Sequence, residues 1–222
     1  MLLALETAND QCSVGLYDAA GLLAYRFDDR PREQTRLLLP MIDAVLTEVG
    51  ISLPELEAIA FSRGPGSFSG VRINAAVTQA LAWTHDLPVI PVSTLQALAQ
   101  AATEQYGLSD VVAVLDARMN EVYAAAYQRD PAGLMQPIGA EQLAAYDQVV
   151  LPVHAVLAGS GVNLVQSDQV QRRYLNVAAN ADHVGRLAIA MLRIGQTVSA
   201  AEALPVYLRD DAWKKLDAQR AG

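Results

Sequence analysis

The chain has 222 residues, 52% of them apolar and 18% charged. That is core enough for one large or two small domains and excludes a disordered or low-complexity protein. With 16 Lys and Arg against 24 Asp and Glu, the formal charge is -8, so the chain repels nucleic acid on average.

The apolar surplus points to burial in an assembly. The basic segments Arg30-Pro31-Arg32 and Gln171-Arg172-Arg173 are too sparse to reverse the charge and read as solvated surface. The single cysteine, Cys12, excludes an intramolecular disulfide and fits a reducing compartment. Met1 to Leu5 meets Glu6 at once, too short a run for a signal peptide or a membrane span, so the expected location is the cytoplasm.

In chain order, Leu2 to Glu6, Cys12 to Asp18 and Leu22 to Asp28 read as three strands joined by turns at Asn9-Asp10 and Ala20-Gly21. A helix follows. Ala58 to Ser62 is a buried strand, Val71 to Thr84 a second helix, Pro88 to Val92 a strand and Thr94 to Gln105 a third helix. Past Gly107 the pattern restarts, with strands Val111 to Asp116 and Glu121 to Gln128, a helix near Ala140 to Tyr146, a strand Ala155 to Leu157 and a helix Asp182 to Ile194. Meanders feeding crossover helices make mixed sheets with helices on their faces, so the class is α/β in two lobes, residues 1–104 and 105–222. The C-terminal helix is free to pack back on the first lobe.

The stretch with most information is Arg63-Gly64-Pro65-Gly66-Ser67-Phe68-Ser69-Gly70-Val71-Arg72-Ile73, a glycine-punctuated turn that runs into a helix with almost no charge. It has two readings. As a phosphate cradle, Gly64, Gly66, Ser67 and Gly70 would aim free N–H groups at an anion. As a docking element, the turn positions the helix behind it, with Ser67 as its cap. The helix wheels bear on the choice. From Arg36 on, Leu37, Leu38, Leu39, Met41, Ile42, Ala44, Val45, Leu46 and Val49 cover an arc of roughly 220°, with Pro40 as a kink or first-turn residue. The second helix leaves little beyond Arg72 and Gln79 as a polar stripe. A sheet covers one side of a helix, so the surplus arc needs either more of this chain or another subunit, and two such pairs would close a four-helix bundle.

The search for catalytic constellations is mostly negative. His85, His154 and His183 form no His-x-x-x-His pair, Ser67 and Ser69 lack a Gly-x-Ser-x-Gly elbow, and no lysine stands near the glycine turn. Lys214 and Lys215 are the only lysines in the chain. Glu6-Thr7-Ala8-Asn9-Asp10 lacks a glycine for close phosphate approach and reads as a turn. Asp116-Ala117-Arg118-Met119-Asn120-Glu121-Val122-Tyr123 gathers charges at a strand end, either lining an interlobe cleft or forming a surface hairpin. No metal or cofactor is expected.

Six motifs in order then point to a known family: Leu5-Glu6-Thr7-Ala8, Leu39-Pro40, the Gly64 to Ile73 turn, Val92-Ser93-Thr94-Leu95, Asp116-Ala117-Arg118-Met119 with Glu121-Val122-Tyr123, and Pro205-Val206-Tyr207-Leu208-Arg209. Over nearly its whole length the chain resembles the TsaB (YeaZ) family, paralogues of TsaD. The resemblance implies an actin-like, two-lobed fold of the sugar kinase and Hsp70 superfamily, each lobe a ribonuclease H-like mixed sheet with flanking helices. It also implies a role as scaffold and activator in synthesis of N6-threonylcarbamoyladenosine in tRNA, beside the anticodon. TsaD would carry the histidine-bound metal and the transfer chemistry, a TsaE-like ATPase would join, and tRNA would be met only through the complex.

On that reading the partner interface comprises Leu38, Met41, Ile42, Val45, Val71, Ala75, Thr78 and Ala82, to be tested by Val45→Glu or Ala75→Glu. The isolated chain is expected to form homodimers. The alternative is a stand-alone enzyme that binds a nucleotide or phosphate at Gly64 to Gly70. Three positions depart from the family pattern: Gln34-Thr35 stands where relatives often show His-Ser or His-Thr, Glu6 where aspartate is commoner, and Asn74 where glycine is common.

Overall fold

A computed structural model of the chain describes residues 1–209. The first sheet is built from β1 (Leu2–Glu6), β2 (Cys12–Tyr17), β3 (Leu22–Asp28), β4 (Ala58–Ser62) and β5 (Val89–Val92), in the order β3-β2-β1-β4-β5. The β1, β2 and β3 meander is antiparallel, whereas β4 joins β1 and β5 joins β4 in parallel. Parallel neighbours need crossovers. Helix α1 (Gln34–Val49) links β3 to β4 and α2 (Phe68–His85) links β4 to β5. The second sheet holds β6 (Asp110–Arg118), β7 (Glu121–Arg129), β8 (Met135–Pro137), β9 (Gln142–Ala145), β10 (Ala155–Ala158) and β11 (Val170–Tyr174). Its order is β11-β10-β6-β7-β8, and β9 also pairs with β7.

Strand β1 shows why the layers stack as they do. All five of its residues are buried, because alternate side chains serve two cores. Leu3 and Leu5 face an outer layer of α1 and α2, where they meet Leu38, Ile42, Val45, Ala75 and Ala82. Leu2 and Ala4 face the inner layer, where α3 (Thr94–Tyr106) and α4 (Ala181–Arg193) lie between the two sheets. The far face of the second sheet is covered by loop side chains such as Tyr146, Val149 and Leu164 instead of helices.

Helix α4 follows the second sheet in sequence but packs on β1, β2 and β4 of the first. Its start is fixed by Asn180, whose Oδ1 accepts from the N–H groups of Asp182 and His183 at 2.9 and 3.4 Å, while His183 Nδ1 accepts the Asn180 N–H at 3.1 Å. The Ser13 hydroxyl of β2 accepts the Ala181 N–H at 2.8 Å, so the cap is tied to the first sheet. Asn180→Ala is expected to cost about 1 kcal/mol in urea unfolding, the usual worth of such a cap.

One element is corrected. Ala140 to Tyr146, expected as a helix, contains strand β9, antiparallel to β7 from Glu121 to Ala124. Strand β8 covers β7 only from Tyr127 to Arg129, leaving its other half an open edge. Pairing along that edge outweighs the helix propensity of so short a segment. Strands β8 and β11 were also unannounced. The other predicted helices and the longer strands lie within a few residues of their expected bounds. Of the two readings of Asp116 to Tyr123, cleft lining or hairpin, the hairpin is present as the β6–β7 turn.

Candidate functional site

Sheets of this kind offer a crevice at the carboxyl ends of their strands where the strand order reverses. Here that point lies between β1 and β4, and the glycine turn leaves β4 there. The turn is not open. A Cβ on Gly70 would lie 2.0 Å from the Thr7 carbonyl oxygen, and one on Gly66 would lie 2.3 Å from that of Ala8. The glycines are therefore explained by the backbone that follows β1. The Ser67 N–H donates to the Ala8 carbonyl at 2.7 Å, the Gly70 N–H to Ser67 Oγ at 3.4 Å, and the Thr7 hydroxyl to the Gly70 carbonyl at 2.8 Å. The Gly64 carbonyl accepts the Thr94 N–H at 3.1 Å. Packing accounts for Gly66 and Gly70 without a phosphate: the turn clasps the β1–β2 connection, and Ser67 caps α2 as expected.

Beneath the clasp lies a knot of buried polar groups. Glu6 is fully buried, and its Oε1 accepts the Ala8 N–H at 2.6 Å. Burial pushes its carboxyl up to about 7, against the lowering influence of hydrogen bonds from Ser62 and the backbone of Ala8 and Asn9. The Asn74 side-chain amide donates to Ser62 Oγ at 2.8 Å and to the carbonyls of Leu5 and Ser62 at 3.2 Å. Two of the positions that depart from the family pattern, Glu6 and Asn74, therefore meet through Ser62. The third joins from the side: Gln34 is buried, and its Nε2 donates to the Asn9 carbonyl at 2.9 Å. Glu6 Oε2 and Asn74 Oδ1 have no partner among the described residues. Cys12 is buried nearby, its thiol pushed up to about 12 by burial first and then by the charges of Asp28 and Glu6.

The residues named as a partner interface fall elsewhere than expected. Leu38, Ile42, Val45, Val71, Ala75, Thr78 and Ala82 are all buried within the chain, and Met41 is half-buried. They form the sheet-facing sides of α1 and α2. The other sides of the two helices carry half-buried Leu37, Met41 and Ala44 on α1, with half-buried Ile73 and Val77 and exposed Ala76 and Ala80 on α2; Leu37, Met41, Ile73 and Val77 also pack against the margin of the outer core. This is an apolar stripe on two helices in contact with each other. Trp83, 73% exposed, extends it at the end of α2. At the start of α2 the Arg72 guanidinium lies 3.3 Å from the centre of the exposed Phe68 ring and 4.9 Å from that of Tyr207. No group of three or more His, Cys, Asp or Glu side chains suited to a metal occurs among the described residues, and no helix of the structure is long and apolar enough to cross a membrane.

Comparison with known proteins decides the family. Residues 30–203 match the model for TsaD, the tRNA N6-adenosine threonylcarbamoyltransferase. The tRNA threonylcarbamoyladenosine biosynthesis protein TsaB of Escherichia coli is 40% identical over 97% of both chains, and that of Haemophilus influenzae is 38% identical over 97% of this chain and 96% of its own. The chain belongs to the TsaB family.

Solved structures agree with that placement. YeaZ from Pseudomonas aeruginosa superposes with a TM-score of 0.87 at 37% identity, over 93% of this chain and 99% of its own. A second structure from that organism, titled as an uncharacterized protein with similarity to peptidase YEAZ, gives 0.88 over 94% and 99%. The fold is the actin-like, two-lobed arrangement that the TsaB resemblance implied. In this TsaB-family chain, the Glu6 knot at the end of β1 lies beneath the glycine turn, and the apolar stripe lies on the helices outside the first sheet. Sequence reasoning foresaw the surplus apolar arc but placed the interface on its sheet-facing residues; the outward stripe is what it failed to assign. Its signal was the spacing Ile73, Ala76, Val77, Ala80, which on so apolar a helix looks no different from the core-facing spacing beside it.

Proposed function

We propose that this chain is a non-catalytic assembly subunit in the synthesis of N6-threonylcarbamoyladenosine in tRNA. A TsaD-like paralogue grips the outward stripe of α1 and α2 and performs the transfer to the adenosine beside the anticodon, a TsaE-like ATPase joins the pair, and tRNA is met through the complex. The observation that carries this reading is the pairing of a sealed corner with an open stripe. The N–H groups of Ser67 and Gly70 are taken up inside the chain, while Ala76 and Ala80 stand exposed among half-buried Ile73 and Val77. Small residues at such a stripe let a neighbouring helix approach closely. The family names support the pathway, and the charge of -8 supports contact with tRNA through partners.

The test must use residues that fold does not need. Val45 and Ala75 are buried, so a glutamate there would disrupt the core and report on folding. Ala76→Glu and Ala80→Glu place the charge on the stripe itself. Both variants are expected to fold normally by circular dichroism, to weaken co-purification with the TsaD-like partner by about tenfold or more, and to lower the modified nucleoside in tRNA. Unchanged pairing in both would overturn the proposal. The same stripe accounts for a homodimer of the isolated chain, since a surface that meets a paralogous lobe can meet its own copy. The alternative of a stand-alone nucleotide-binding enzyme requires stoichiometric ATP binding and turnover by the isolated chain in calorimetry, and neither is expected.

A further inference from the structure

The two sheets meet along a seam beside the glycine turn. Arg63 leaves β4 there, and Ser93 caps α3 just past β5. From the second sheet come Tyr127 on β7 and the segment from Pro137 to Glu141 between β8 and β9. With Gln96 and Leu208 these residues line a cavity of about 400 Å³, within the size range of small-molecule sites.

Its hydrogen bonds have fixed directions. Arg63 donates twice to Glu141, Nη2 to Oε1 at 3.0 Å and Nη1 to Oε2 at 3.3 Å, with both side chains largely buried. The Ser93 hydroxyl also donates to Glu141 Oε1. Having spent its proton, Ser93 Oγ must be the acceptor in its 3.3 Å contact with the Tyr127 hydroxyl. The chain thus runs from Tyr127 through Ser93 to Glu141, and Glu141 is satisfied at both oxygens. The remainder is not. A guanidinium has five N–H donors, and among the described residues only the two bonds to Glu141 engage those of Arg63. Gln96 donates through Nε2 to the Met135 carbonyl at 2.8 Å, and its Oε1 has no donor among the described residues. The Tyr127 oxygen likewise gives a proton and receives none.

A plain interlobe tie would be packed shut and saturated. This one borders a cavity with spare donors at one place and spare acceptors at another. The charges of Arg63 and Glu141 cancel, so a simple anion gains at one and loses at the other, as does a simple cation. Only a ligand with both charges gains at both. We propose that the seam cavity binds a small zwitterionic α-amino acid. Its carboxylate sits on the spare N–H edge of Arg63, its ammonium group donates to Gln96 Oε1 and Tyr127 Oη near Glu141, and a short aliphatic side chain lies against Pro137, Ala140 and Leu208.

Calorimetry of the full chain with glycine, L-alanine and L-valine as probes, and acetate and methylammonium as half-probes, tests this. Saturable binding is expected for the amino acids up to about 20 mM, tightening from glycine to valine, with no saturable heat from either half-probe. Gln96→Leu, which leaves the ion pair and the Tyr127–Ser93–Glu141 chain intact, is expected to weaken binding by about tenfold, and Arg63→Gln to abolish it. Absence of saturable heat with all three amino acids overturns the proposal. So does acetate binding as tightly as valine, or unchanged affinity in Gln96→Leu.

Discussion

Gly70→Ala is expected to abolish stable folding of this chain, or at the least to remove more than about 4 kcal/mol of stability. The added Cβ would lie 2.0 Å from the Thr7 carbonyl oxygen and 3.0 Å from its carbon. These are backbone atoms one residue past a central strand that is paired on both sides, so no side chain can swing away to make room. Relief would require α2 to lift from the sheet, exposing Val71 and Ala75 and breaking the Thr7–Gly70 hydrogen bond. A glycine with a positive φ and open surroundings gives the contrast. Gly107 has φ +68° and nothing within 4 Å of a built Cβ, so Gly107→Ala is expected to cost about 1 kcal/mol of backbone strain. Urea unfolding of both variants checks the difference. The same measurement separates the two readings of the turn. Were the glycines there to admit a phosphate, Gly70→Ala would fold like the parent and lose only a ligand.

The readable parts of the sequence were those where local pattern and tertiary setting agree. Strands β1 and β4 have the bounds their apolar runs announced, because a central strand covered on both faces is buried throughout and needs no alternation to mark it. Ser67 is legible as a cap because a cap is a local matter of one hydroxyl and the next turn. Strand β9 was not legible, since what makes it a strand is the free edge of β7, which no nearby residue encodes. The glycine turn was half legible. Its tightness could be read, but its reason lies in Thr7 and Ala8, some 60 residues earlier, where an acid, a hydroxyl and an alanine gave no hint of a clasp. The seam was silent for the same reason: Arg63 and Glu141 are 78 residues apart. The outward face of α2 could not be told from the face turned to the sheet, because a helix so nearly apolar all round carries little polar stripe to orient it.

The Glu6 knot makes a second large effect, in the pH dependence of stability. Burial raises the Glu6 carboxyl from the ordinary 4.5 to about 7 in the folded chain, so the folded state holds its proton where the unfolded state has released it. The stability from the neutral, buried carboxyl is fully present below about pH 4.5. It is lost as pH rises through about 7, beyond which both states are ionised and the loss is complete. For a fully buried group the loss is on the order of 3 kcal/mol. His183 acts in the opposite sense nearby. Burial lowers its imidazole below the ordinary 6.5, opposed by the charges of Glu104 and Asp182, so it adds stability as pH rises toward 6.5. The parent's profile alone mixes the two. Glu6→Gln removes one and keeps the other, since Asp182 and Glu104, which face His183, are untouched. Thermal unfolding from pH 5 to pH 8 is therefore expected to show the Glu6→Gln variant gaining on the parent steadily up to about pH 7 and then running parallel to it. A constant offset between the two curves across that range would mean that Glu6 is ionised in the fold already at pH 5. The buried Ser62 and Asn74 would then be solvating a charge, and the knot would be an anion held in place beneath the clasp instead of a neutral acid sealed under it.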